Sequence, residues 1–372
     1  MVHLLAVSGI FLIFPEESDT DFEKPKYMNL GRRNFIKTSV TGAAALGMSG
    51  KLFSANNANQ SANSRIGIIG LDTSHSVAFT KSLNNPDAKA EFIGFRITAA
   101  YPKGSSSIKS SADRITGYTE DVKKLGVKIV NSIDELLAEV DYVLLETNDG
   151  RLHLEQVLPV FKAGKRVFID KPVAASLADA IAIYDAGKHY NVPVFSSSSL
   201  RYINGAKEIA GGSIGKVLGV DTFSPATLEA THPDLFWYGV HGVEVLFTIM
   251  GTGCERVTRT FNEKYDSVVG LWNDGRIGTF RGIRNGKSDY GGFVFGEKSI
   301  SQLGKYAGYD PLLVQIIDFF ETGMPPVSAE ETLAIFTFMA AAEDSKNRGG
   351  IPVETGKVYE KARKQASKIK FA

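Results

Sequence analysis

From Arg65 onward the chain alternates short apolar runs with longer stretches in which apolar residues recur every three or four positions. The runs RIGIIGL, AEFIGFRITAAY, VKIV, DYVLLET, RVFIDKP and VPVFSS predict buried strands. Between the later runs, SIDELLAEV, LHLEQVLPVFKAG and LADAIAIYDAGKHYN predict amphipathic helices, with Ser132 and Ser176 as N-caps. Strands that alternate with helices build βαβ units, so residues 65–198 predict a doubly wound parallel sheet. The pattern then changes. VLGVDTFS, RVTRTFN, DSVVGLWN, RIGTFRGI, GGFVFG and KSISQL follow one another with turn residues between them, so residues 199–372 predict a second α/β domain with a predominantly antiparallel sheet.

The 372-residue length suits about two domains. In front of the folded part stand three segments of different character. Residues 1–27 carry an apolar burst followed by an acidic stretch, and residues 59–64 read as a polar linker. Between them, NLGRRNFIKTSVTGAAALGMSGKLFSA resembles a twin-arginine export signal, with Arg32 and Arg33 ahead of a weakly apolar Gly/Ala-rich run. Taken as residues 28–58, it implies the twin-arginine export machinery as a partner and a periplasmic or otherwise exported protein. Its core is shorter than the roughly 20 apolar residues of a membrane span, so no stable membrane insertion is expected.

Composition removes several function classes. Hydrophobic residues make up 43% and charged residues 22%, as in an ordinary globular protein. Forty-two basic against forty-one acidic residues leave a net charge of +1, which argues against nucleic acid as a partner. Cys254 is the only cysteine, so an intramolecular disulfide and a cysteine-built zinc site are excluded, and its setting in GTGCERV reads as a structural thiol. The six histidines include no pair at the close helical spacing of a metal motif, and the reading needs no metal.

Ligands on a doubly wound sheet bind outside the carboxyl ends of the strands, which directs attention to the turns after Leu71, Ala100, Glu146 and Ile169. The first turn, GIIGLDTSHS, has only Gly70 of the usual three glycines, and Asp72 and His75 stand where the others would be. Thr73, Ser74 and Ser76 offer hydroxyls beside a helix N-terminus, where an anion is favoured, while Asp72 suits an anion only if its side chain turns to cap that helix. The turn reads equally as a cap without a ligand. The second strand lacks the acidic residue that ordinarily binds the adenosine ribose and ends TAAYPKGSSS. There Tyr101 would cover the adenosine and Lys103, with Ser105 and Ser106, would hold a 2′-phosphate, or the segment is a surface loop.

The segment DYVLLETNDGRLHLEQVLPVFKAGKRVFIDKPVAASLADA resembles the Gfo/Idh/MocA oxidoreductases, which show a strand, a polar turn, a His-bearing helix and a strand ending in Glu-Lys-Pro. Here the triplet is Asp170-Lys171-Pro172. The resemblance runs from about Arg65 to Glu354 and includes PPVSAEETLAIFTFMAAAEDSKNRGGIPVE. It implies a Rossmann-type domain that binds NAD or NADP, and a C-terminal sheet that commonly forms a homo-oligomer interface. It further implies a cofactor site at Gly70, Asp72, Thr73, Ser74, His75, Tyr101, Lys103, Thr147, Asn148, His153, Asp170 and Pro172.

For chemistry, the resemblance assigns Lys171 to the substrate oxygen and a histidine early in a second-domain helix to proton transfer. FWYGVHGVEVLFTIMG supplies His241 followed by Glu244, but Trp237 replaces the aspartate expected four positions earlier, with Asp234 as a candidate substitute. Arg201, Tyr202, His232, Asp234, Trp237 and Glu244 are the expected substrate contacts. The function expected is hydride transfer between NAD(P) and a sugar, cyclic polyol or related carbohydrate. The altered turn and missing aspartate keep two alternatives open: redox-assisted glycoside cleavage, or a catalytically inactive member that binds carbohydrate or a partner.

Overall fold

The computed structural model describes residues 64–371. The extension 1–27, the twin-arginine segment 28–58 and the linker up to residue 63 lie outside them. The first half runs β1 (Ser64–Ile69), α1 (Ser74–Leu83), β2 (Phe95–Tyr101), α2 (Lys109–Lys124), β3 (Lys128–Ile129), α3 (Ile133–Glu139), β4 (Tyr142–Leu145), α4 (His153–Lys162), β5 (Val167–Ile169), α5 (Leu177–His189) and β6 (Val194–Ser196). All six strands are parallel in the order β3-β2-β1-β4-β5-β6, the doubly wound topology with its switch point between β1 and β4. The Ser132 and Ser176 hydroxyls accept the Glu135 and Asp179 amides at 3.0 Å, capping α3 and α5. The second strand is shorter than its apolar run, because Ala90–Phe92 form a 3-10 turn that buries Phe92 before β2 begins.

The second half contains α6 (Ala206–Ala210), β7 (Val217–Pro225), α7 (Val240–Met250), β8 (Cys254–Phe261), β9 (Tyr265–Trp272), β10 (Ile277–Ile283), β11 (Gly291–Gly296), β12 (Ile300–Leu303), α8 (Asp310–Thr322), α9 (Ala329–Asn347), β13 (Val353–Glu354) and α10 (Thr355–Ala366). Its sheet has the order β12-β11-β7-β10-β9-β8-β13 and is antiparallel except between β7 and β10. Strand β9 shows why one face is covered: Val268 and Trp272 point into a core with Leu246 and Phe247 of α7 and Phe338 of α9, while Ser267 and Val269 point out. Helix α8 packs back on the first sheet. Its Leu312, Ile316, Phe319 and Phe320 share a core with Ile66, Phe95, Phe168 and Phe195, and the Phe320 ring stacks on Tyr142 at 4.8 Å.

The turn after β1 fixes the crevice at the switch point. Gly70 sits at φ +90°, and a Cβ there would lie 2.5 Å from the Thr147 amide nitrogen, so glycine lets the turns after β1 and β4 touch. Asp72 is fully buried and accepts the Ser105 amide at 2.9 Å and the Asn148 amide at 3.0 Å. One carboxylate therefore joins the loops that follow β1, β2 and β4. Gly104 makes the approach possible, since a Cβ there would stand 2.3 Å from the Asp72 carboxyl carbon. Ser105 continues the chain of contacts by donating its hydroxyl to Asp149 at 2.9 Å. Asp72→Ala leaves two buried amides without an acceptor and is expected to cost about 3 kcal/mol, read as a lower urea midpoint; an unchanged midpoint rejects this role.

Candidate active site

A cleft of about 590 Å³ lies over the carboxyl ends of the first sheet, within the roughly 300–1,000 Å³ usual for small-molecule sites. The first domain contributes Thr73, Ser74, His75, Asn148 and Lys171 to its wall, and α2 contributes Ser110, Arg114 and Tyr118. The second domain faces them with Trp237, Tyr238, His241, Tyr290, Tyr306 and Tyr309. A π-helical turn over Leu235–Gly239 runs directly into α7, which puts Trp237, Tyr238 and His241 on one wall.

The end of the cleft beside α1 is built for an anion. The Thr73 hydroxyl caps α1 by accepting the His75 amide at 3.1 Å, and Ser74 is exposed to the cleft with Arg114 and Ser110. Helix-end dipole and guanidinium act with the same sign there. Asp72 does not oppose them, because its charge is turned inward onto two amides. Burial raises the Asp72 carboxyl, and those two hydrogen bonds work against the rise.

The other end carries Lys171 and His241. Lys171 follows Asp170 directly after β5 and is 8% exposed. The Ser198 hydroxyl accepts the Leu200 amide at 3.1 Å and stands 2.6 Å from Nδ1 of His241, holding the ring. Burial, and then the positive charges of Lys171 and His75, push the His241 imidazole well below its usual value, so the ring is neutral at physiological pH. Tyr238 and Tyr290 meet its ring edge-on, with centroids at 5.2 and 6.0 Å. Tyr309 packs on His75 at 4.5 Å, and the Tyr306 hydroxyl lies 3.0 Å from Ser199 Oγ.

Of the residues singled out in the sequence, the fold gathers Thr73, Ser74, His75, Asn148, Lys171, Trp237 and His241 in this cleft. Gly70, Asp72 and Thr147 lie behind its wall and hold the turns together. Tyr101 and Lys103 do not line it, because the Asp72–Ser105 bond folds the loop after β2 down and brings α2 forward in their place. His153 is fully buried, with its ring nitrogens 2.6 Å from the Thr147 carbonyl and 3.1 Å from that of Val173. Asp170 and Pro172 are buried beneath Lys171.

The expected substrate contacts are largely structural. Arg201 is sandwiched between Glu244 at 2.9 Å and Glu331 at 2.6 Å, and Glu244 also accepts the Ser197 hydroxyl. Tyr202 sits with Arg201 in a separate groove. His232 is buried 3.6 Å from Asp149, and Asp234 is tied to Arg259 and Lys346, so Asp234 does not replace the missing carboxylate near His241. The tyrosines at 238, 290, 306 and 309 and the α2 residues went unassigned in the sequence. The spacing KYAGYD after the last long strand run was the one local signal for Tyr306 and Tyr309.

Residues 64–198, the span of the first domain, match the family model of the oxidoreductases with an NAD-binding Rossmann fold, GFO_IDH_MocA. The chain is 33% identical over 156 residues to an uncharacterised oxidoreductase of Streptococcus pneumoniae, a match covering 37% of this chain and 42% of that protein. It is 32% identical over 124 residues to 1,5-anhydro-D-fructose reductase of Ensifer adhaerens, covering 32% and 36%. The matches thus span about two fifths of these curated relatives. The structure of scyllo-inositol dehydrogenase from Lactobacillus casei, with bound NAD(H) and scyllo-inositol, superposes with a TM-score of 0.62 at 15% identity over 79% of this chain and 99% of that one. At that identity the likeness is one of fold, and it extends through both domains.

The depressed His241 sets a measurable titration. In an NMR pH titration of histidine-labelled protein, with His241→Asn to assign the signal, its ring is expected to stay neutral from pH 7 until well below 6.5. A midpoint at or above 6.5 would contradict the burial argument.

Proposed function

We propose that this protein is a nicotinamide-dependent oxidoreductase that moves hydride to or from a hydroxyl-bearing carbon of a sugar, cyclic polyol or related carbohydrate. The observation that carries the reading is the single cleft joining the α1 N-terminus, Ser110 and Arg114 to Lys171 and His241. The residues present fit NAD(P). Ser74, Ser110, Arg114 and the α1 amides would hold its phosphates, and Asn148 and Lys171 would border the nicotinamide. When bound, the nicotinamide supplies the hydride acceptor or donor.

The chain's own groups account for the rest. Oxidising a secondary alcohol requires a proton acceptor at the hydroxyl and a positive group beside the developing alkoxide. A neutral His241 accepts that proton, and the Lys171 ammonium stabilises the oxygen. The aromatic wall of Trp237, Tyr238, Tyr290 and Tyr306 gives an apolar ring face a surface to lie on, with hydroxyls available at its edges. The names of the Ensifer and Lactobacillus proteins support the same substrate class. The twin-arginine pattern at Arg32 and Arg33 supports export, and among the described residues no helix is long and apolar enough to cross a membrane.

The test is nucleotide first and turnover second. Mass spectrometry of small molecules released on denaturation, with titration by NAD(H) and NADP(H), is expected to find nucleotide binding that weakens in Arg114→Ala. Absence of binding in the wild type ends the oxidoreductase reading. On a carbohydrate panel, Lys171→Ala is expected to lower kcat/KM by about 10²–10⁴ while it still binds nucleotide; an unchanged rate refutes the role of Lys171.

The second sheet supports a homo-oligomer. Val269, Ile277, Phe293, Phe295 and Ile300 are all exposed, and the pairing of Ile277 and Phe295 with Gly219, and of Phe293 with Asp221, puts them on its open face. Light scattering is expected to give more than one chain per particle, with Phe293→Asp shifting it to a single chain. A wild-type chain that is already single rejects this surface.

A further inference from the structure

We propose that His75, Glu146 and Asp170 form a binding site for one divalent transition-metal ion, zinc or manganese by the chemistry of the donors. They come from the first turn of α1 and from the positions directly after β4 and β5, so only the parallel packing of β1, β4 and β5 brings them together. One ligand atom from each lies within 4.8 Å of the others. His75 Nδ1 stands 2.9 Å from Asp170 Oδ2 and 3.8 Å from Glu146 Oε2.

The state of Glu146 is what points to a ligand. Its side chain is fully buried, and among the described residues neither carboxylate oxygen has a hydrogen-bond partner. A buried carboxylate in that state is strongly disfavoured. His75 Nδ1 and Asp170 Oδ2 face each other at 2.9 Å and have no further hydrogen-bond partner among the described residues. Asp170 Oδ1, by contrast, accepts the Lys171 amide at 2.8 Å, which fixes the carboxylate with Oδ2 toward His75. A cation among these atoms satisfies all three residues at once.

The electrostatics agree. Burial first, and then the neighbouring Asp170 charge, push the Glu146 carboxyl well above its usual range. Burial would also raise Asp170, but the positive charges of His75 and Lys171 outweigh it and bring that carboxyl down to about 2. Without further positive charge the two carboxylates compete for what is there. Two carboxylates and one imidazole neutralise a divalent ion and form an oxygen-rich mixed set, which suits zinc or manganese and, lacking a thiolate, not a soft monovalent ion. His75 and Lys171 line the cleft, so an ion reaches the site from the cleft, and three protein ligands leave positions for water or a substrate oxygen. The spacing of histidines along the sequence gave no sign of this, because two of the three ligands are carboxylates that follow separate strands.

The experiment uses the tag-free full chain, stripped with a chelator and titrated calorimetrically with ZnCl₂ and, separately, MnCl₂. Ion content is counted by plasma mass spectrometry after dialysis. One ion per chain is expected, with His75→Ala and the isosteric Glu146→Gln each weakening binding by at least the roughly 10–100-fold that loss of an outer partner costs. Cobalt(II) added to the stripped protein is expected to give a visible absorption band that changes in His75→Ala. Uptake below about a tenth of an ion per wild-type chain, a readout independent of whether either variant folds, overturns the site. So does wild-type affinity in both folded variants. Titration with NAD(H) on the same preparation reads the proposed cofactor separately, so the two proposals fail independently.

Discussion

Asp72 sets the geometry on which the cleft depends. A glycine-rich turn gives its ligand bare backbone to approach, whereas this chain puts a carboxylate there and spends it on two amides from other loops. That choice closes the upper side of the switch point, pulls the loop after β2 onto the first turn, and leaves α2 as the wall opposite α1. A buried carboxylate tolerates this only because its charge is met by backbone N–H groups of fixed direction. The same satisfaction keeps its negative charge from facing an anion at α1.

The chemistry of the cleft follows from how few positive charges serve many groups. Lys171 depresses His241 on one side and bears on Glu146 and Asp170 on the other. The neutral state of His241 thus follows from burial first and from the neighbouring positive charge of Lys171 second. Ser198 holds the imidazole through a neutral hydroxyl, and the raising effect of the Asp170 charge does not offset burial and the neighbouring positive charges.

Much of the fold was legible in the chain itself. Apolar runs separated by amphipathic stretches fixed the order of strands and helices, and Ser132 and Ser176 cap the helices expected of them. These are local signals, set by periodicity and by one hydroxyl meeting one amide. Lys171 and His241 were legible by resemblance, and the fold brings both to one cleft. The failures are long-range. Asp234 looked available until Arg259 and Lys346 claimed it, and Arg201 looked like a substrate ligand until Glu331, 130 positions away, paired with it. A polar side chain shows its chemistry in the sequence, but not which distant charge has already taken it.

The same reasoning explains the cluster behind Lys171. In a doubly wound sheet the residues that follow adjacent parallel strands come within a few ångströms of one another, while the intervening crossover helices separate them in sequence. Glu146 and Asp170 directly follow β4 and β5, and His75 lies in the first turn of the helix that follows β1. A hydrophobic trio there would pack without electrostatic cost, and a fully hydrogen-bonded polar trio would cost little. This trio is ionisable, buried and short of partners among the described residues, and Asp170 is the direct neighbour of Lys171 in the chain. Its electrostatic cost would be balanced by a cation that completes it, and the field of that cation would fall on the part of the cleft wall that Lys171 lines.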